Sequence, residues 1–315
     1  MNKTVNGYIK IARFDHWIKQ AFIFPGIFLA LFMEKDISIE NLLFYIKSIL
    51  LGTFSTSLIA SANYIINEWL DAEFDKYHPV KKFRPVLTTN LKPLYILIEY
   101  VCFLIVGLIL ALCISKYVFY MSLCLAIMGI IYNVKPFRSK DIPYIDVLSE
   151  SINNPIRLLI GWFIIANKTL LPMSIILGYW MGGAFLMATK RFAEYRMIDN
   201  KEKAVLYRKS FLLYNEKNLL ISALFYAMLS IFFCGIFLIK YKIELLISIP
   251  FICGLFAIYL NMAYQYDSAV QRPEKLFHEK GLICYLIFLF VLILILLLIK
   301  IPCLDILLSR TLIEL

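Results

Sequence analysis

The sequence lacks the residue spacings of a zinc site. Its seven cysteines lie in or at the ends of apolar segments, form no C-x-x-C pair and have no histidine neighbours of the zinc-ligand type. We interpret them as small apolar residues that face lipid or the protein core. Charge is also scarce, since 17% of the residues are charged and 61% are hydrophobic, whereas a soluble domain is roughly half apolar. The composition therefore places the chain among membrane proteins.

A long polar block is also missing, because apolar runs recur from about residue 20 to residue 301. The first apolar run, residues 21–33, follows a stretch of mixed character and precedes no small-residue cleavage site. We therefore find no cleavable signal peptide. A single integral membrane domain over residues 1–315 is the simplest organisation.

The formal net charge of +10 raises the question of nucleic-acid binding. The basic residues cluster in the short connections between apolar runs, where such residues usually set the orientation of a membrane protein. We therefore expect the membrane as a partner and no nucleic acid.

The apolar runs predict an all-α fold, a polytopic membrane helix bundle. A helix needs about 20 apolar residues to cross a hydrocarbon core of about 30 Å. Nine runs approach this length, and the first and fourth are short. The nine predicted spans are residues 20–33, 45–66, 93–114, 117–132, 143–166, 170–189, 218–239, 243–263 and 281–301.

The positive-inside rule orients these nine spans. If the connections alternate between two sides, one side receives 23 of the 32 Lys and Arg residues and the other receives eight. The first side is then cytoplasmic, so the N-terminus lies inside and the C-terminus outside. The two longest cytoplasmic connections, 67–92 and 190–217, are highly charged, and we expect the chemistry there.

The first charged segment places Asn67, Asp71 and Asp75 on an extension of the second apolar helix. Residues four apart differ by about 40° around a helix of 3.6 residues per turn, so the three form one stripe. Like charges at this spacing destabilise a helix unless a cation lies between them. Carboxylate and amide oxygens without His or Cys suit Mg²⁺, which is commonly shared with substrate phosphates. The alternative is a solvated helix end whose acids pair with the lysines that follow.

The stripe continues into a loop with two prolines, His78-Pro79 to Arg84-Pro85, which ends the helix and brings cations close to the acids. Arg84 can bind a phosphate with two parallel hydrogen bonds, and Lys81 or its neighbour Lys82 can supply a point charge. We expect His78 to cap or pack the loop and not to act as a base.

The N-x-x-x-D-x-x-x-D stripe in a nine-helix membrane protein resembles the UbiA-type membrane transferase superfamily. The usual members of that superfamily prenylate aromatic acceptors with Mg²⁺ and a prenyl diphosphate. The continuation D-x-x-H-P-x-K-x-x-R-P, from Asp75 to Pro85, resembles a more specific branch, the decaprenyl-phosphate phosphoribosyltransferases. The resemblance implies a UbiA-like bundle, with Asn67, Asp71 and Asp75 as catalytic residues and ligands of the metal.

The resemblance covers most of the chain. Near the start, Arg13, Trp17 and Lys19 match the R-P-x-x-W-x-K pattern of the branch, which makes Lys19 a candidate substrate-binding residue. Two positions depart from the pattern, since Phe14 replaces the usual proline and Glu68 replaces the Asp that usually follows the Asn. The longer carboxylate of Glu68 could shift a ligand or a contact.

The second charged segment follows the sixth predicted span. A prenyl-diphosphate enzyme of the superfamily would have a second D-x-x-x-D here, whereas this chain has Lys190, Arg191 and Glu194, which resemble the K-R-[FY]-A-E segment of the phosphoribosyl branch. Three phosphate groups on the substrates would call for more fixed cations. Glu194 could bind ribose hydroxyls or complete a second metal site. The two cations could also be ordinary interfacial anchors of a helix end.

Between the two charged segments, the branch places a Lys, an Asp and an Arg near the fifth span, which makes Lys140, Asp146 and Arg157 candidate substrate contacts. Arg157 lies inside a predicted span, where a charge is costly and usually faces a partner or a polar cavity. It could instead bridge helices through Asp146 or Asn153. Asp267, in the last cytoplasmic connection, is a weak candidate.

The resemblance implies transfer of 5-phosphoribosyl from phosphoribosyl diphosphate to a polyprenyl phosphate, with Mg²⁺ as cofactor and diphosphate as product. We expect this step of cell-envelope biosynthesis at the cytoplasmic face of the plasma membrane. One alternative is a UbiA-type prenyltransferase that uses a prenyl diphosphate and an aromatic acceptor. Another is a transporter for an anionic solute, which often has two related halves with broken helices, and we find no internal repeat here.

Overall fold

The protein is described by a computed structural model over residues 3–34, 42–198, 200–265, 268–271, 273–276 and 278–307. Within these ranges it is helical and has no β-strand, which confirms the all-α class. The α-helices are α1 (Lys3–Ile11), α2 (Phe24–Met33), α3 (Leu42–Asp75), α4 (Pro85–Thr88), α5 (Pro93–Ile114), α6 (Lys116–Asn133), α7 (Ile145–Ser151), α8 (Asn153–Ile165), α9 (Met173–Met197), α10 (Lys201–Tyr207), α11 (Glu216–Tyr241), α12 (Ile249–Ala263), α13 (Pro273–Leu276), α14 (Lys280–Leu298) and α15 (Pro302–Leu307). The 3₁₀ helices are Phe14–Ile23, Lys81–Phe83, Ser139–Asp141, Lys209–Leu212, Ile243–Ser248 and Ala269–Gln271.

Helix α3 carries the predicted acidic stripe at its C-terminal end. It runs without a break over 34 residues, which corresponds to about 51 Å at 1.5 Å per residue. A hydrocarbon core of about 30 Å cannot cover that length. About 20 Å of α3 therefore extends beyond the apolar layer. The polar residues Asn67, Asp71 and Asp75 make the C-terminal end the part that we expect to protrude.

Seven helical segments of the described residues are long and apolar enough to cross a membrane. The predicted spans 143–166 and 170–189 are not among the seven, so the count of nine stays a prediction. The first of the two is divided into α7 and α8. Pro155 lies in the first turn of α8, where a proline fits a helix start. At 13 residues α8 is about 20 Å long, too short to cross the bilayer alone.

The chain divides into two compact units. The first comprises the residues up to Leu171 together with Glu194–Asn218, and the second comprises Pro172–Ala193 and the chain from Leu219 onward. The organisation as one integral membrane domain over residues 1–315 stays a prediction.

In the first unit, two glycines let α2 and α8 pack with their backbones in contact. A Cβ atom at Gly26 would lie 1.9 Å from the carbonyl oxygen of Leu158, and one at Gly161 would lie 2.1 Å from that of Ile23. No side chain fits at such distances, so the two helices can cross this closely only with glycine at both positions. Small residues at helix contacts are a common means of close packing in membranes.

A small apolar core fixes the start of the chain against α3 near the stripe. Ile11, Ala12, Ile65 and Ile96 are fully or almost fully buried and pack together. Helices α1, α3 and α5 each contribute to or border this core, so the C-terminal end of α3 is held on an apolar support. In the second unit, Ser230 Oγ donates to the Gly178 carbonyl oxygen at 2.9 Å and ties α11 to α9.

The apolar helices also carry large exposed side chains. On α5, for example, Leu97, Ile105 and Ile109 are each between 45% and 56% exposed. All seven cysteines are free, and six of them are exposed while Cys234 is partly buried. Exposed apolar residues and thiols on long apolar helices fit contact with lipid.

Candidate active site

The stripe on α3 has the geometry that the sequence predicted. Asn67 Nδ2 donates to Asp71 Oδ2 at 3.2 Å, so the first two members of the stripe are in contact along one helix face. Asp75 lies one turn further on and is 2% exposed. The stripe therefore presents one amide and two carboxylates to the loops that pack against the end of α3.

Asp71 binds two cations from the connection that follows α6. Arg138 Nη2 donates to Asp71 Oδ1 at 2.9 Å, and Lys140 Nζ donates to the same oxygen at 2.5 Å. The Arg138 guanidinium also lies over the ring of Phe74, 4.7 Å from its centroid. Burial lowers the pKa of Lys140 to about 8, although the Asp71 carboxylate opposes this shift. Lys140, a predicted site residue, therefore contacts the stripe. Arg138, which was not predicted, contacts it as well.

Asn133, the last residue of α6, connects these groups. Its Oδ1 accepts from Asn67 Nδ2 and, at 2.8 Å, from Lys140 Nζ. Its backbone carbonyl oxygen accepts from Arg138 Nη1 at 3.1 Å. Asn133 therefore holds the stripe and both cations in register.

Asp75 binds the loop that follows α3. Arg84 Nη1 donates to Asp75 Oδ2, and Arg84 Nε lies 4.0 Å from the Glu68 carboxylate. Glu68 Oε1 also lies 3.5 Å from the backbone nitrogen of Val86, which donates to it. The carboxylate that departs from the family pattern is therefore used to hold Arg84.

Lys81 joins the first charged segment to the second. Its Nζ donates to Glu194 Oε1 at 3.2 Å and to the Tyr207 hydroxyl, and it lies 4.7 Å from the centroid of the Tyr207 ring. Burial lowers the pKa of Lys81, and Glu194 opposes this shift. Two predicted residues 113 positions apart in the sequence are therefore in direct contact.

His78 caps the loop, as expected. Its Nδ1 accepts from the backbone nitrogens of Val80 at 3.1 Å and Lys81 at 3.2 Å. Its ring meets the Tyr207 ring edge to face, with the centroids 4.5 Å apart. Burial, with the nearby Lys81 charge as the next cause, lowers the pKa of His78 to about 3. A neutral imidazole whose Nδ1 accepts two hydrogen bonds is not a general base at neutral pH.

Asp146 is fully buried and binds the segment around α10. Its Oδ1 accepts from the Tyr214 hydroxyl at 2.6 Å, and its Oδ2 accepts from Ser210 Oγ at 3.2 Å. Arg208 Nη1 lies 3.5 Å from Asp146 Oδ2 and donates to the Tyr132 hydroxyl at 3.3 Å. These contacts are those of a positioning residue, and a direct contact of Asp146 with substrate stays a prediction.

Two further predicted residues, Lys19 and Arg157, make contacts that involve the 3₁₀ helix Phe14–Ile23. Lys19 Nζ lies 5.2 Å from the centroid of the Tyr64 ring. Arg157 Nε donates to Gln20 Oε1 at 3.0 Å, so Arg157 bridges α8 to the 3₁₀ helix near the start of the chain.

Lys190 and Arg191 belong to the second unit. There Arg191 is fully buried and Lys190 is partly buried, both on α9. Asp267 lies outside the described residues. The roles of Lys190 and Arg191 as substrate contacts stay predictions.

The sequence did not predict several residues of the site. Asn133, Arg138, Tyr207 and Arg208 all contact predicted residues. Arg138 could have been predicted from the sequence, because it lies two residues before Lys140 in a predicted basic cytoplasmic connection. Asn133 and Tyr207 look like ordinary helix-end residues in the sequence, and only the packing reveals their contacts.

The acids around the end of α3 outnumber the cations that contact them. The connected ion pairs join four carboxylates to three cations, namely Glu68, Asp71, Asp75 and Asp141 with Arg84, Arg138 and Lys140. Among the described residues, no three His, Cys, Asp or Glu side chains are grouped closely enough to form a metal cage by themselves. Asn67, Asp71 and Asp75 fit a hard cation that completes its shell with water and substrate oxygens, as Mg²⁺ does.

The long apolar helices and the polar cluster at their ends define an integral membrane protein with a charged site. Residues 22–281, well over half of the chain, match the UbiA prenyltransferase family. The chain belongs to this family of membrane transferases. A comparison with curated proteins found no match.

Solved structures share the fold. A UbiA homolog from Archaeoglobus fulgidus bound to GPP and Mg²⁺ has a TM-score of 0.68 and 18% sequence identity, over 91% of this chain and 99% of that one. The same homolog bound to DMAPP and Mg²⁺ has a TM-score of 0.67 at the same identity and coverage. A structure of digeranylgeranylglyceryl phosphate synthase has a TM-score of 0.59 and 18% identity, over 95% of this chain and 97% of that one. At this identity the likeness establishes the fold alone.

Proposed function

We propose that the protein transfers the 5-phosphoribosyl group from phosphoribosyl diphosphate to a polyprenyl phosphate and releases diphosphate. The observation that carries the proposal is the ion pair between Lys81 and Glu194. In a prenyl-diphosphate enzyme of the superfamily, the second charged segment would supply another acidic motif. Here Glu194 is the one acid between residues 187 and 196, and a lysine of the first segment binds it.

The cofactor of the proposed reaction is Mg²⁺. The side chains of the stripe support this choice, because carboxylate and amide oxygens are ligands that suit Mg²⁺. Asn67, Asp71 and Asp75 would hold the ion from one side, leaving its other positions to water and diphosphate oxygens. When bound, the ion would neutralise charge on the leaving diphosphate.

In this proposal, the side chains of the protein align the substrates and stabilise the charge that develops. Arg84 and Lys81 bind phosphate oxygens of the donor, and Arg138 and Lys140 lie where negative charge grows as diphosphate departs. Breaking the bond between the anomeric carbon and the diphosphate oxygen leaves positive charge on that carbon. An oxygen of the lipid phosphate, already ionised at neutral pH, forms the new bond with inversion at the carbon. No general base is needed, which agrees with the occupied Nδ1 of His78.

The family name and the solved relatives favour a second candidate, a prenyltransferase. The homolog from Archaeoglobus fulgidus was solved with GPP and with DMAPP, each with Mg²⁺. The acidic stripe suits either donor, because both donors carry a diphosphate. The two candidates differ in the group that is transferred, so donor choice decides between them.

The deciding experiment supplies the purified protein with either donor and Mg²⁺. Phosphoribosyl diphosphate labelled in the ribose is offered with a polyprenyl phosphate, and labelled geranyl diphosphate is offered with an aromatic acceptor. We expect ribose label in an acid-labile lipid. Product from geranyl diphosphate alone would replace the proposal with prenyl transfer.

The proposed orientation puts the site at the cytoplasmic face of the plasma membrane. In a cysteine-free background, Asn90→Cys and Val205→Cys should react with a membrane-impermeant thiol reagent only from the cytoplasmic side. Lys168→Cys should react only from the other side, because the connection at residue 168 belongs to the side with few cations. Labelling of Asn90→Cys and Lys168→Cys from the same side would overturn the topology.

A further inference from the structure

The imidazole of His78 has two nitrogens with different surroundings. Two backbone N–H groups, from Val80 and Lys81, point at Nδ1. A nitrogen that accepts hydrogen bonds carries no proton, so the ring is neutral and its single proton lies on Nε2. The loop therefore fixes the tautomer of His78 by its backbone geometry.

The Nε2–H group of this tautomer is a buried donor that the described residues leave without an acceptor. His78 is 4% exposed, and its Nε2 has no hydrogen-bond partner among the described residues. A buried donor without a partner is unfavourable, because it has lost its hydrogen bonds to water. Capping the loop requires only Nδ1, and an asparagine could do it. The histidine therefore brings a second polar atom into the site that the cap does not explain.

The charges around His78 indicate what this donor binds. The charges that act most strongly on its ring are those of the cations Lys81, Arg84 and Arg208 and of the Glu194 carboxylate. An anion drawn to these cations would bring oxygen atoms to the same place. Lys81 and Arg84 belong to the loop that His78 caps, so the same loop holds all three side chains.

We propose that His78 is a substrate-binding residue whose Nε2–H donates a hydrogen bond to a phosphate oxygen of the diphosphate-bearing donor. It acts as a neutral donor beside the charged contacts of Lys81 and Arg84 and neither gives up nor takes a proton. The identity of the donor as phosphoribosyl diphosphate rests on the proposed function, while the role of His78 needs only the donor's phosphate.

A substitution can separate the two roles of the ring. In His78→Asn the side-chain oxygen can take the place of Nδ1 and accept the loop N–H groups, but nothing replaces Nε2–H. We expect His78→Asn to bind the donor about tenfold more weakly, as for a hydrogen bond to a charged group. Its unfolding temperature should fall modestly, because the ring packing against Tyr207 is lost. Lys76→Ala, an exposed cation two residues earlier, is the control and should match the wild type.

Affinity is measured by titrating the full-length protein in detergent with phosphoribosyl diphosphate and, separately, with geranyl diphosphate, both with Mg²⁺. Wild-type affinity of His78→Asn for the donor that the protein binds would overturn the role of His78 and leave only a loop cap, with Nε2 bound to water. A wild-type protein that binds geranyl diphosphate alone would overturn the proposed function, and the His78 comparison would then be made with that donor.

A second measurement does not depend on how the variant folds. The chain has three histidines, so a spectrum of protein labelled with ¹⁵N in histidine contains few signals, and His16→Asn and His278→Asn assign those of His78 by elimination. We expect His78 to show an unprotonated Nδ1 and a protonated Nε2. The Nε2 signal should shift when the diphosphate-bearing donor is added. A protonated Nδ1, or an Nε2 signal that ignores saturating donor, would contradict the proposal.

Discussion

Asp71→Asn is expected to abolish turnover while the protein stays folded, and Asp75→Asn is expected to do the same. Each substitution keeps the shape of the side chain and removes one negative charge from the stripe. The stripe already lacks a full cage of protein ligands, because no three metal-binding acids are grouped in the described residues. Losing one of two carboxylates should therefore abolish Mg²⁺ binding at the concentrations at which the wild type is saturated.

The ion pairs of the stripe require a control for folding. Asp71 binds Arg138 and Lys140, so its loss leaves two cations without this partner and can lower stability. Glu73→Gln removes a carboxylate from the same helix at an exposed position and should retain full activity. Activity and unfolding temperature are measured together over a Mg²⁺ titration. Near-normal turnover of a folded Asp71→Asn protein at limiting Mg²⁺ would contradict the metal assignment.

Local periodicity explains how far the sequence could predict the site. The stripe depends only on residues four apart in one helix, and α3 continues to Asp75 as expected. The loop from His78 to Arg84 follows within ten residues and folds back on the helix end. These parts of the site need no knowledge of tertiary packing.

The partners from other helices could not be derived in this way. Asn133 lies 66 residues from Asn67 in sequence and Lys140 lies 69 residues from Asp71, and both reach the stripe because α6 packs beside α3. Tyr207 lies 126 residues from Lys81. Periodicity contains no information about which helices are neighbours, and the resemblance to a family supplied Lys140 but not Asn133 or Tyr207.

The helix count shows the same limit. Hydropathy alone joined residues 143–166 into one span, whereas the structure divides them into α7 and α8, which are separated by Ile152. Asn153 Nδ2 donates to the Glu150 carbonyl oxygen at 3.0 Å, which satisfies a backbone group at the break. Such a local hydrogen bond can interrupt an apolar run without changing its hydropathy.

Lys81→Ala and Arg84→Ala are each expected to lower kcat/KM for phosphoribosyl diphosphate at least tenfold. A charge-assisted hydrogen bond contributes about 1.5–3 kcal/mol, and about 1.4 kcal/mol corresponds to one decade. Both side chains are largely buried, with 22% and 15% of their side-chain surfaces exposed, so solvent screens their charges only in part. Lys76→Ala removes an exposed cation near the same loop and should leave kcat/KM unchanged.

The two substitutions also remove partners of buried acids, Glu194 for Lys81 and Asp75 for Arg84. A purely structural role would lower the unfolding temperature and would affect every donor alike. A role in binding the sugar phosphate predicts in addition that ribose 5-phosphate inhibits the wild type and inhibits the variants less. Because ribose 5-phosphate carries no diphosphate, its inhibition reports contacts that a prenyl diphosphate would not need. Equal inhibition of wild type and both variants would remove Lys81 and Arg84 from recognition of the sugar phosphate.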